Sequence, residues 1–127
     1  MRESSILKRC LLALSDVGIL ALRNNTALAW VGQATKITRP MVIAVQPGDV
    51  IVRNARPLHA GLGKGGGDIV TCHDGRFGMV EVKTDTGRVS ADQRTFAAAV
   101  QAHGGLYGIA RSPDEAVAVA RGELKNI

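Results

Sequence analysis

Between residues 3 and 15 apolar side chains recur at helical spacing, at Ile6, Leu7, Cys10, Leu11 and Leu14. That spacing predicts a helix with Lys8 and Arg9 on its outer side, stopped by Asp16 and Gly18. "ILALRNN" (19–25) reads as a buried strand ending in turn residues, and "ALAWVGQ" (27–33) as a further strand. Residues 38–58 hold two β-branched runs split by Pro47-Gly48, a hairpin or an irregular excursion. A glycine-rich segment, "AGLGKGGG" (60–67), follows. Asp74-Gly75 then divides two strand-forming runs, a strong hairpin signal. Folding about that turn pairs His73 with Arg76, Cys72 with Phe77, Thr71 with Gly78, Val70 with Met79, Ile69 with Val80, and Asp68 with Glu81.

The C-terminal part is equally patterned. Ser90 with Gln93 three residues later is a capping box opening "ADQRTFAAAVQAH", with Phe96, Ala97 and Val100 inward and Gly104-Gly105 closing it. "LYGIA" (106–110) is a strand. Ser112-Pro113-Asp114-Glu115 is a second capping box, with proline at the first helical position, opening "PDEAVAVARGE". This order predicts an α/β chain with a mixed sheet and helices on its faces. The 127 residues show no repeat, low-complexity tract or linker and suit one domain, 1–127.

Composition narrows the function classes. Aromatics make up 3% of the chain, so platforms for stacking single-stranded bases are nearly absent. A net charge of +5 suits a polyanionic partner, although such a balance more often describes a solvated surface. No signal peptide is expected, since Lys8 and Arg9 interrupt the first apolar stretch. No apolar run approaches the roughly 20 residues of a membrane span, so a cytosolic protein is expected. Cys10, Cys72 and Trp30 are expected in the core, and Arg23, Arg39, Arg53 and Arg56 as surface charge. "GKG" at 63–65 lacks the Ser or Thr of a phosphate-binding loop, and His59, Cys72, His73 and His103 lack zinc-ligand spacing.

The chemistry gathers at one end of the hairpin. Asp68, Val70, Cys72, Phe77, Met79, Glu81 and Lys83 share a sheet face, apolar over most of its length and expected to pack on a helix. Facing carboxylates with Cβ atoms about 4.5–5.5 Å apart repel by roughly 3 kcal/mol. A counter-charge is required, and Mg²⁺ or Mn²⁺ suits oxygen ligands at this spacing better than a shared proton or Lys83 does. Such an ion would activate water for attack on phosphorus, with Lys83 orienting that water or stabilising developing charge. Gly65 to Gly67 would let a bulky backbone pass close to the acid, and Lys64 would hold a neighbouring phosphate. The same residues also read as a solvent-facing Glu81–Lys83 pair and a turn aspartate, and helix initiation alone explains Gln93.

An acid, a hairpin and then "EVK" (81–83) is the pattern of the PD-(D/E)XK nuclease superfamily. The ordered set is more specific: Glu3 opening the first helix, "ALRNN" (21–25), "GLGKGGGD" (61–68) and "EVKTDTGRVSADQRTF" (81–96). Over nearly its whole length the chain resembles the VRR-NUC domain, in particular the small stand-alone form of phages and prophages. Gly67 stands where that family usually has proline before the first acid.

The resemblance implies a restriction-endonuclease-like mixed β-sheet flanked by helices. It implies Asp68 and Glu81 as metal-binding acids, the Val82 carbonyl as a further ligand, Lys83 as the catalytic lysine and Gln93 beside the scissile phosphate. Glu3 matches a first-helix glutamate that helps hold metal. Lys64, Gly65 and Gly66 would approach DNA. The implied activity is Mg²⁺- or Mn²⁺-dependent hydrolysis of DNA phosphodiesters, at Holliday junctions or flaps, by a homodimer in the cytoplasm of a bacterium or phage-infected host. The rival from another class is a non-catalytic DNA-binding or assembly module keeping the acids as remnants.

Overall fold

The structure, a computed structural model, describes residues 1–33 and 36–127. Along the chain run α1 (Glu3–Asp16), β1 (Leu20–Arg23), β2 (Ala27–Val31), β3 (Arg56–Ala60), β4 (Ile69–His73), β5 (Arg76–Val82), α2 (Ala91–Ala102), β6 (Leu106–Ala110) and α3 (Pro113–Ala120). They form two compact units, one of residues 1–25 and 61–127, the other of residues 26–60. The chain is of the mixed α/β class. Among the described residues no helix is long and apolar enough to cross a membrane.

The larger unit is a four-stranded mixed sheet in the order β1-β4-β5-β6. The β4–β5 hairpin has the register expected from Asp74-Gly75, from His73 opposite Arg76 to Ile69 opposite Val80. Asp74 and Gly75 both have positive φ, 51° and 74°, as a tight hairpin turn whose twist matches the strands requires. β1 pairs antiparallel with β4, and β6 runs parallel to β5.

The sheet carries apolar residues on both faces. Ile69, Val80, Val82 and Ala110 pack on Ile6, Leu7, Cys10 and Leu14 of α1 and on Ala116, Val119 and Ala120 of α3. Met79, Tyr107 and Ile109 pack on Ala97 of α2, joined by the half-buried Val70, Phe96 and Val100. The latter is the face on which a helix was expected, and Glu81 lies on it by strand alternation.

Three expectations need correction. β1 is an edge strand rather than a buried one: Ala21 packs on the core, while Leu20 and Leu22, on the opposite face, are exposed. Cys72 is exposed, as are its cross-strand neighbours Leu20 and Phe77. Cys10, fully buried, matches its expectation, and burial pushes its thiol up to about 11, with a smaller rise from Glu115 opposed by Arg9. Trp30 is exposed.

Trp30 belongs to the smaller unit, where β2 and β3 pair antiparallel and none of the described residues is buried. Two strands alone enclose no interior. Residues 38–50 there take the irregular alternative, turning at Pro47-Gly48, where Asp49 caps the turn through the Gln46 N–H at 2.8 Å.

A buried asparagine fastens the glycine-rich loop to the larger unit. Asn24 Nδ2 donates to the Gly67 carbonyl at 2.9 Å, and its Oδ1 accepts the Leu62 N–H at 3.2 Å. Asn24→Ala leaves both partners unpaired and should cost about 1–3 kcal/mol. Urea unfolding should show it, with faster hydrogen exchange at the Leu62 N–H. An Ala variant as stable as wild type would contradict this role.

Candidate active site

Each residue at the hairpin end is placed by the element that carries it. Asp68 stands just before β4, and its main-chain carbonyl accepts the Asn24 N–H at 2.8 Å, extending the β1–β4 pairing. Its side chain does the same towards β5: Oδ2 accepts the Val82 N–H at 2.8 Å. One carboxylate oxygen thus occupies the place of the next ladder acceptor, beyond Ile69–Val80. That differs from the simple picture of two side chains opposed on a sheet face. Val82, expected to act through its carbonyl, is fixed through its N–H.

Glu81 is buried, 5% exposed, one residue before the end of β5. Its Oε1 accepts Gln93 Nε2 at 2.8 Å and faces Lys83 Nζ at 3.5 Å. Burial is the largest influence on its carboxyl, and the Asp68 charge the next. Together they push it up from 4.5 to about 7, against the charge and hydrogen bond of Lys83, with a smaller rise from Glu3. The Asp68 charge thus acts on Glu81 in the same direction as burial, and Lys83 offsets only part of the rise.

Gln93 caps α2 and reaches Glu81 with the same side chain. Its Oε1 accepts the Ser90 N–H at 2.9 Å and its own N–H reaches Ser90 Oγ, completing the capping box of α2. The other end of the same amide holds Glu81. Helix initiation and site construction use opposite ends of one side chain, and the cap fixes which end points at the carboxylate.

The remaining expected residues sit further out. Glu3 opens α1 and acts on Glu81 through space. Among the described residues no three His, Cys, Asp or Glu side chains gather into a metal-sized group. Lys64 is exposed and pairs with Asp92 at 3.4 Å. Gly65 lies against the first turn of α2, where a Cβ would collide with the Asp92 carbonyl, and Gly66 packs near Asn24 and Met79. What the structure assigns to these glycines is close packing within the protein. The Gly65 carbonyl accepts Tyr107 Oη at 2.9 Å, and burial, then Glu81 and Asp68, raise the Tyr107 hydroxyl above its ordinary range.

The donor set fits a hard divalent cation. Asp68 and Glu81 offer carboxylate oxygens, a buried carboxylate is left with incomplete neutralisation, and Mg²⁺ typically takes one or two carboxylates together with waters and substrate phosphates. A three-acid cage is not what such an ion requires.

Three residues of this region were not singled out from the sequence. Asn24 and Tyr107 both tie down the glycine-rich loop, across 43 and 42 residues of chain. Arg111, just past β6, donates from Nη1 to the carbonyls of Thr84 and Gly87. The available signals were slight: an asparagine pair ending a strand, a tyrosine amid small residues, an arginine before a capping serine.

No protein-family model matches this chain, and no curated protein matches it in sequence. The site therefore rests on its own geometry.

Between pH 4.5 and 7 the folded protein holds a proton on Glu81 that the unfolded chain has released. Stability from this group is thus present at low pH and lost as pH rises through 7. Without metal, wild type should lose about 3 kcal/mol relative to Glu81→Gln between pH 5 and pH 8. Urea melts of both proteins at the two pH values check this. Parallel pH profiles would show that Glu81 titrates normally.

Proposed function

We propose that the chain is a metal-dependent DNA endonuclease of the VRR-NUC type, with a restriction-endonuclease-like arrangement of its mixed sheet. The observation that carries this reading is the buried Glu81 carboxylate, coupled to Asp68 and bracketed by Lys83 and Gln93. An acid pair left short of positive charge, beside an amine, is suited to phosphodiester hydrolysis.

Asp68 and Glu81, with the Val82 carbonyl, would hold Mg²⁺ or Mn²⁺. When bound, that ion lowers the pKa of water and offsets charge on the phosphate. The chain's own residues set the geometry. Gln93 Nε2 fixes the Glu81 rotamer by donating to its Oε1, and the Val82 N–H fixes Asp68. Lys83, 13% exposed and 3.5 Å from Glu81, would stabilise the negative charge that develops on the phosphate in the transition state. The net charge of +5 supports a polyanionic substrate. A homodimer acting on branched or flapped DNA in the cytoplasm is the form the family resemblance supports, since two-fold symmetry would match a four-way junction.

The test is cleavage of labelled Holliday junctions, flaps and plain duplex with Mg²⁺, Mn²⁺ or EDTA. Cleavage should require metal and fall by about 10²–10³-fold in Lys83→Ala. Asp68→Asn should lose cleavage yet keep DNA binding, with affinity falling steeply as salt rises. Activity that persists in EDTA contradicts the reading. A wild type that binds DNA but never cuts it supports the non-catalytic module instead.

A further inference from the structure

Lys83 needs a support that its own strand does not give. β5 ends at Val82, and the chain turns at once through Thr84–Gly87, with the Gly87 N–H bonded back to the Thr84 carbonyl at 3.1 Å. Gly87 returns against the lysine: a Cβ there would lie 3.2 Å from Lys83 Cδ and 3.3 Å from its Cβ. The backbone of this turn therefore lies along the Lys83 stem.

Arg111 holds that turn. Its Nη1 donates to the Thr84 carbonyl and, at 3.0 Å, to the Gly87 carbonyl, so one guanidinium nitrogen clasps both ends of the turn. Arg111 is itself anchored. Its N–H donates to Glu115 Oε2 at 2.9 Å, while Ser112 Oγ accepts the Glu115 N–H. Glu115 was expected to close a reciprocal capping box on Ser112, and it reaches one residue further back instead. The Lys83 N–H bonds the Ala110 carbonyl at 3.0 Å, keeping the two strand ends in step.

We infer that Arg111 is a positioning residue for Lys83, acting through the Thr84–Gly87 turn that lies along the lysine's methylene stem. Its kinetic consequence rests on the nuclease reading, but its structural consequence does not. Arg111 also lines a cavity of about 520 Å³ together with Arg9, so direct contact with a DNA phosphate is the competing role.

The experiment joins two readouts on the full chain. Brief labelling with an amine-reactive acetyl ester, followed by peptide mass spectrometry, compares Lys83 with the exposed Lys64 as internal reference. In Arg111→Met, which keeps the stem and removes the donors, Lys83 labelling should rise several-fold over that reference. Arg111→Lys should fall between Met and wild type. Gly87→Ala, which crowds the lysine stem and leaves Arg111 intact, should also change Lys83 labelling, and it carries the test if Arg111→Met does not fold. In junction cleavage, kcat should fall about tenfold or more in Arg111→Met with KM unchanged.

Unchanged Lys83 labelling in folded Arg111→Met overturns the inference, as does a raised KM with unchanged kcat, which would mark Arg111 as a DNA contact. If Arg111→Met does not fold, unchanged labelling in Gly87→Ala overturns it. Altered labelling in proteins that never cleave DNA would sink the nuclease reading and leave the positioning role standing.

Discussion

The burial of one carboxylate organises this molecule. Glu81 sits on the sheet face that α2 covers, beside the packed Met79 and Ile109, where water cannot solvate its charge. A charge in that position must be hydrogen-bonded and paired, or the group neutralises. The surroundings answer incompletely: Gln93 donates one hydrogen bond, Lys83 stands 3.5 Å away, and Asp68 adds charge of the wrong sign. The residual deficit of positive charge sets this end of the sheet apart from an ordinary patch of core.

The rest of the larger unit is arranged to keep that end in place. The site lies at the carboxyl ends of the parallel strands β5 and β6, where α/β sheets commonly open to ligands. α2 begins at the site because its capping glutamine is also the hydrogen-bond donor to Glu81. The glycine-rich loop closes against the first turn of α2 and is fastened by Asn24 and Tyr107. On the other side Arg111 clasps the turn after Lys83. Each fastening reaches from a remote part of the chain to a backbone carbonyl, and carbonyls of irregular loops must find such partners when water is excluded.

Local chemistry was the most legible part of the sequence. Asp-Gly fixed a hairpin register residue by residue, because the turn type determines which strand positions face each other. Ser90 and Gln93 announced the start of α2 for an equally local reason. Burial was less legible, since it depends on what lies across the strand. Leu20, Leu22, Cys72 and Trp30 are as apolar as core residues, yet they stand on an edge strand, opposite exposed neighbours, or in a unit with two strands. Asn24, Tyr107 and Arg111 escaped notice because their partners are backbone atoms 24 to 43 residues away, and no spacing rule connects a side chain to a distant carbonyl.

The central claim is that Asp68 and Glu81 together form a divalent cation site. Electron paramagnetic resonance of Mn²⁺ titrated into the protein without DNA tests it most directly. The account predicts saturable binding that is lost in Asp68→Asn and in Glu81→Gln and retained in Lys83→Ala. Equal Mn²⁺ binding by wild type and both acid variants, or no binding by wild type at all, would contradict it.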